Sequence, residues 1–400
     1  MSTKTATRFE CVDALRGICA LLVALLHCQT YSHIVGVRFF GNAYLFVDFF
    51  FVLSGFVIAS NYAERLRDGY SLGSFAILRF GRVYPLYLVT LGAFVAMEAV
   101  QIVIPSLGAM GGSAPFSAPR QSWDTILANV LLLQSFGGYG FLTWNTPGWS
   151  IATEFWTYMC FACVVRYAYG SRVIILAATL VLALGLILAL SPHAMNTTFN
   201  YGFIRTLAGF SAGALLYEVY KRRHAARWLA RANATTLELG AIGLAIAFVT
   251  FADQRPVSVL APFVFAGVVL VFIAEAGRVS RWLKAPAFQM LGSLSYSIYM
   301  VHLFLGTYIT NLGKLVQSKL GHPMLTEIAH GSERLRVLGT TRIEGDIWLL
   351  CILASVLICS WVTYRFIEVP CREWFRDLAA KGQVRRKAAM PASGALALQP

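Results

Sequence analysis

Arg16 and His27 stand eleven residues apart in the apolar run DALRGICALLVALLHC, from Asp13 to Cys28. At about 100° per residue, eleven steps return a helix to nearly the same face. At about 1.5 Å rise per residue, His27 lies roughly 16 Å beyond Arg16. Asp13, Arg16 and His27 therefore line one side of a helix, and the small residues Ala20, Val23 and Ala24 between them leave room along that side. Ionisable groups are rare in apolar segments and are functional suspects there. An imidazole takes up a proton near neutral pH, so His27 is a candidate base. The competing use is structural: a snorkelling arginine at a membrane edge and a helix-packing histidine.

Three further runs carry chemistry-bearing side chains. LRFGRVYPLY holds Arg79 and Arg82 one helical turn apart, with Pro85 at the start of the next span. A guanidinium presents a planar fork that suits phosphate, so the pair could grip a phosphorylated donor; plain charge anchoring needs no more than their sign. WNTPGWSIATEFWTYM puts Ser150, Glu154 and Tyr158 on one helix face. Glu154 could pair with His27 and set its tautomer, or face interfacial water. LSYSIYMVHLF puts Ser295, Tyr299 and His302 on one face, for a shared polar interior or for interhelical hydrogen bonds. In FFFVLSGFVIA, Ser54 and Gly55 allow close helix approach, while Asp48 just before it is expected near the outer end, against an acceptor or hydrated. Cys160 and Cys163 form a CxxC on an apolar helix, where packing outweighs metal or redox chemistry, and no metal site is expected. Glu98, Arg205, Glu218 and Glu275 lie in or near spans and receive no role.

The elements that must position these groups follow from composition. Of 400 residues, 58% are hydrophobic and 13% charged, more apolar surface than a soluble domain can hide. The reading is an all-α, polytopic membrane helix bundle with about ten transmembrane helices, near 14–33, 44–62, 83–104, 149–167, 173–190, 203–220, 237–252, 257–275, 287–310 and 346–367. The first run, with an internal histidine and no small-residue cleavage site, is not a signal peptide. The net charge of +14 is spread between spans, which excludes a nucleic-acid role and fits positive-inside topology. With both termini cytoplasmic, 24 of the 33 lysines and arginines fall on the cytoplasmic side, led by the runs from Lys221 and Arg278. The stretch from Thr125 to Phe136 is too short to span and reads as a re-entrant or interfacial piece of an outer loop, 105–148. A second outer loop covers 311–345. Residues 377–400, basic and then rich in Ala, Pro and Ser, are expected to be a disordered cytoplasmic tail.

Histidine, glutamate and histidine on three polar faces, with arginines at the cytoplasmic entrance, describe a polar tunnel with a base inside. Catalysis between a phosphorylated donor and an acceptor fits; so does a proton-coupled transporter, and a non-catalytic subunit of a polysaccharide export complex would leave His27 and Glu154 replaceable.

ALRGICALLVALLHC, FFFVLSGFVIA, RFGRVYP, WSIATEFWTY and SYSIYMVH, in this order, resemble the acyltransferase 3 family of membrane O-acyltransferases. The likeness runs from about Phe9 to Trp374 and implies a transmembrane acyltransferase domain over 1–376, in a bacterial cytoplasmic (inner) membrane. It implies acyl transfer, most commonly acetyl, from cytoplasmic acyl-CoA as co-substrate, with no permanently bound cofactor, to a hydroxyl of a glycan or glycolipid such as a surface polysaccharide or lipopolysaccharide. By the same likeness His27 and Glu154 are catalytic, and Arg16, Arg79 and Arg82 bind acyl-CoA. Asp13, Ser54, Trp149, Ser150, Tyr158, Tyr299 and His302 line the supporting polar cavity. Thr157, Met300 and Val301 depart from the family's usual residues beside these faces, which bears on acceptor shape. Some members carry a C-terminal periplasmic hydrolase-like domain; without one, this chain is expected to act alone or with polysaccharide-assembly proteins. A pantetheine arm extends on the order of 15–20 Å by bond counting, comparable with the Arg16–His27 separation.

Overall fold

Helices built from these apolar runs satisfy their own backbone polar groups through internal hydrogen bonds, as a bilayer requires. The computed structural model describes residues 9–103, 114–222, 233–253, 256–330 and 333–389. Its long helices are α1 (Glu10–Leu26), α2 (Phe46–Arg67), α3 (Leu72–Val103), α4 (Gly148–Tyr167), α5 (Arg172–Leu190), α6 (Gly202–Lys221), α7 (Ala234–Ala252), α8 (Ala261–Phe272), α9 (Pro286–Leu320), α10 (Arg342–Thr363) and α11 (Val369–Ala389). Each of the ten segments expected to span holds one of them. Among the described residues, five stretches are long and apolar enough to cross a membrane by length and composition: Ala43–Arg67, Leu72–Val103, Tyr169–Leu190, Ala234–Ala252 and Arg342–Gln383.

Several boundaries differ from the sequence expectation. α1 stops at Leu26, not near residue 33, so His27 is its C-cap rather than a mid-helix residue. α3 starts at Leu72 and carries Arg79, Arg82 and Pro85 inside it; proline is tolerated in a membrane helix where neighbours satisfy the freed carbonyl. The loop 105–148 contains a short helix, Trp123–Val130, pinned to α3 by Tyr87 donating to Asn129 Oδ1 at 3.0 Å. α11 continues helical to Ala389, well into the segment expected to be a disordered tail. Residues 390–400, and most of the basic run that starts at Lys221, lie outside the described residues.

Among the described residues, the departure from a helical chain is an antiparallel hairpin, β1 (Leu325–His330) and β2 (Glu333–Leu338), inside the second expected outer loop. It is stitched to the segment just after α1: Leu338 N donates to Gln29 O at 2.9 Å, and Tyr31 N donates to Leu338 O at 2.7 Å.

Helices in lipid associate through close packing, because their surfaces are no more apolar than the tails around them. Two glycine-mediated contacts organise the bundle. A Cβ on Gly55 of α2 would collide with the Phe210 carbonyl of α6, and one on Gly213 of α6 with the Val52 carbonyl of α2. The helix-packing expectation for Gly55 therefore holds. Between α1 and α9, Gly17 faces the backbone of Leu291 and Gly292, and Gly292 faces that of Asp13.

Asp48 corrects an expectation. It is fully buried and binds Arg205 of α6 through two bonds, Nε to Oδ1 at 2.9 Å and Nη2 to Oδ2 at 2.7 Å. Arg205 also donates to the Tyr44 and Thr197 carbonyls. An aspartate at this depth cannot stay hydrated, and the arginine of the facing helix supplies its counter-charge. Removing one partner leaves a buried unpaired charge, so Asp48→Asn or Arg205→Met should cost about 3–5 kcal/mol. The double variant Asp48→Leu/Arg205→Met should recover much of that loss in chemical unfolding from detergent micelles; additive losses would contradict the pairing.

Candidate active site

α1 ends where its last carbonyls need partners, and His27 supplies one. Its Nδ1 lies 2.9 Å from the Val23 carbonyl. His302, mid-way along α9, repeats the arrangement with Nδ1 3.1 Å from the Ile298 carbonyl. A carbonyl accepts only from N–H, so both neutral rings carry their proton on Nδ1 and keep a lone pair on Nε2. The two rings lie 5.1 Å apart between centroids. His302 is 3% exposed, and its Nε2 is buried with no hydrogen-bond partner among the described residues. The Tyr299 ring lies 5.9 Å from that of His302, and the Tyr299 hydroxyl shares a 2.8 Å hydrogen bond with Ser150.

One helix length away, the arginines gather. Arg16 Nε donates to Ser295 Oγ at 2.8 Å and Nη2 to the Gly292 carbonyl at 3.1 Å, while Nη1 lies 3.3 Å from Asp13. Arg82 lies within electrostatic reach of Glu368, Tyr158, Asp13 and Glu154, yet among the described residues no hydrogen bond or ion pair engages it. Glu154 joins the two regions. It accepts from Ser54 and, at 2.5 Å, from the Tyr158 hydroxyl, and it lies within electrostatic reach of Arg82, Arg16 and Tyr299. A trail of polar groups thus runs from Arg16 and Arg82, past Ser54, Glu154 and Tyr158, to Ser150, Tyr299 and the histidine pair.

Some expectations land elsewhere. Glu154 does not pair with His27; its carboxylate is taken by Ser54 and Tyr158, and His27 faces His302 instead. The Ala20 and Ala24 side is filled, because those small residues let α9 pack Leu294, Ile298 and Val301 against it. Arg79 and Arg82 diverge: Arg79 donates to the Tyr62 hydroxyl at 3.1 Å and lies over its ring. Trp149 packs against Phe51, with the Arg205 guanidinium 5.5 Å from its ring. Cys160 and Cys163 are exposed on α4, and among the described residues no three His, Cys, Asp or Glu side chains converge as metal ligands.

Glu368 was missed. It closes a π-helical turn, Tyr364–Glu368, between α10 and α11. Pro370, two residues on, has no N–H to donate and disturbs the helix ahead of it; π-turns of this kind recur at functional sites. The turn aims Glu368 inward, where it is 3% exposed, accepts from Ser297 at 3.2 Å and faces Arg82 and Arg16. The only sequence signal was that proline after an apolar run.

The profile of an acyltransferase domain family, acyltransferase 3, matches residues 9–365. The chain belongs to that family. Among curated proteins, protein 2 in the picA locus of Rhizobium radiobacter is 39% identical over 101 residues, 24% of this chain and 49% of that protein. Acyltransferase MdmB of Streptomyces mycarofaciens is 32% identical over 147 residues, 34% of this chain and 30% of its own length. The chain spans about half the length of the first relative and under a third of the second. No solved structure matches it.

The tautomers are directly measurable. In protein labelled with ¹⁵N-histidine, His27 and His302 should each show a protonated Nδ1 and an unprotonated Nε2 in the neutral form. A protonated Nε2 on either ring would contradict the geometry.

Proposed function

We propose that the protein is a ten-span O-acyltransferase of a bacterial cytoplasmic membrane, with both termini cytoplasmic. It moves an acyl group, acetyl in the first instance, from cytoplasmic acyl-CoA to a hydroxyl of a cell-surface glycan or glycolipid. The carrying observation is the polar trail between an arginine cluster and a histidine pair, with Arg16 and His27 at the two ends of one helix. Membership in an acyltransferase family favours chemistry over a proton-coupled transporter or a scaffold, for which the same buried groups would also serve.

In this reading the CoA phosphates dock at Arg82 and Arg16. Arg82 is the better donor of the RxxR pair, since Arg79 is already held by Tyr62. The pantetheine arm follows Ser54, Glu154 and Tyr158 and brings the thioester to His27. Nε2 of His27 takes the acceptor's hydroxyl proton as that oxygen attacks the thioester carbonyl. The C–S bond breaks, the acyl group stays on the acceptor oxygen, and the departing thiolate receives the proton from His27. Alternatively, His27 Nε2 attacks the thioester carbonyl, the C–S bond breaks and CoA leaves as thiolate; the acceptor hydroxyl then attacks the acyl-histidine carbonyl, the N–acyl bond breaks, and the hydroxyl proton passes to water as the imidazole is restored. Glu154 holds the centre of the trail through Ser54 and Tyr158 and balances the arginine charge.

Purified protein incubated with radiolabelled acetyl-CoA tests this. Wild type should release free CoA, and His27→Ala should not while still folding and inserting; label kept on wild-type protein selects the acyl-histidine route. Equal release by both removes His27 from the mechanism. Losing a charge-assisted hydrogen bond costs about 1.5–3 kcal/mol, so Arg82→Ala should raise KM for acetyl-CoA by roughly tenfold or more, and more than Arg79→Ala does. An unchanged KM would return Arg82 to an anchoring role.

A further inference from the structure

Beyond the histidine end of α1, an open cleft of about 380 Å³ lies between the tip of α9 and the hairpin. That volume falls within the usual range of small-ligand sites. Its lining is Gln29, Lys314, Glu327, Arg334, Leu335 and Arg336. Arg334 and Arg336 are two apart on β2 and share one side of the strand. Both turn to the same carboxylate, Glu327 of β1: Arg336 Nε lies 3.0 Å from it and Arg334 Nη1 3.8 Å. Lys314 is half-buried, and its Nζ donates to Asn311 Oδ1 at 3.1 Å. Three cations therefore share one carboxylate in the cleft, leaving an excess of positive charge. Burial, and then the neighbouring Arg336, lower the Lys314 pKa, which means that its charge lacks a full counter-ion.

The cleft is tied to the reaction end of the bundle twice. Gln29 is two residues past His27, and its carbonyl receives the Leu338 N–H at the end of β2. α9 passes the His27 backbone at Gly306, where a Cβ would sit 3.9 Å from the His27 carbonyl oxygen. Lys314 is eight residues further along the same helix, about 12 Å at 1.5 Å per residue. His302 is twelve residues back along the same helix, about 18 Å by the same rise, so an oligosaccharide seated in the cleft can extend to the histidines.

We propose that this cleft is the acceptor's anchoring subsite and that the acceptor is an acidic glycan, its carboxylate or phosphate held by Lys314 and Arg336 while a hydroxyl several sugar units along the chain reaches His27. The proposal rests on the acyltransferase reading above and deepens it by naming the acceptor's charge. The exposure of Arg334 (84%) and Arg336 (67%) puts the cleft at the water side, where a glycan arrives. Glu327 holds the two arginines in place while the anion is absent and gives them up to it.

The test uses the full chain in phosphatidylcholine nanodiscs, without acyl-CoA, so that it stands or falls independently of any failure to detect acyl transfer. Binding of a hyaluronan tetrasaccharide, which carries glucuronate, is compared with that of neutral maltotetraose and of glycerol 1-phosphate as a soluble lipid headgroup. At low salt the acidic sugar should bind at least about tenfold more tightly than the neutral one, the scale of one charge-assisted hydrogen bond, and salt should weaken it. Lys314→Gln/Arg336→Gln should lose that preference, and Lys314→Arg should retain it. Thermal unfolding of each variant separates lost binding from lost folding, with the single change Lys314→Gln as the milder substitute. Equal binding of the acidic and neutral sugars, or wild-type affinity in a folded double variant, would overturn the proposal. Binding of glycerol 1-phosphate through the same residues without binding of the acidic sugar would overturn it too, by assigning the cleft to lipid headgroups.

Discussion

The contact between α1 and α9 at Gly17 and Gly292 sets the geometry on which the rest depends. With no side chain between the two backbones, Arg16 reaches a carbonyl and a serine of α9. The same approach, followed along the helices, brings His27 beside His302. A bulkier residue at either glycine would move both ends together, since the arginine and the histidine ride on one rod. Close packing supplies here what the hydrophobic effect cannot supply between helices surrounded by lipid.

Buried charge is the second constraint, and the protein treats it in two ways. Asp48 and Arg205 satisfy each other with two bonds and have nothing left to offer a ligand, a structural use that locks α2 to α6. Around Arg82 and Glu154 the charges balance more loosely: Arg16 is held by Asp13 and α9 and Glu368 lies near Arg372, but Glu154 spends its carboxylate on hydroxyls, and among the described residues Arg82 has charge near it without a direct bond. A closed pair specifies packing, whereas an open set leaves donors ready for a phosphate or carboxylate that brings its own charge. The two differ in how many hydrogen bonds the protein has already used, not in how many charges it has buried.

Much of this was legible in the sequence. The apolar runs marked where helices form, since length and hydropathy set that locally. Arg16 and His27 could be paired by period alone, because both ride on one element. What could not be read was which helix faces which. The Ala20 and Ala24 side looked open because nothing in a single run says that another helix will fill it. Glu154 was offered His27 or water, and Asp48 an acceptor or water, for the same reason: Ser54 and Arg205, which engage them, lie on other helices. Glu368 was hidden by a boundary, its inward aim depending on a π-turn that a regular helical wheel does not contain. The hairpin escaped because its short, mixed-charge strands make sense only against Gln29 and Tyr31.

An unbroken α1 has a further consequence for selectivity. Because Arg16 and His27 are joined by a rigid helix, the distance between them does not adapt to what is bound. Under the acyltransferase reading, the donor is measured from its charged end, and a thioester on a shorter carrier would stop short of the imidazole even if its acyl group were ideal. The identity of the acyl chain must then be judged past His27, where α1 has ended and the chain turns toward the hairpin. Donor type and acyl length would be read by different parts of the molecule, and each could change without rebuilding the other.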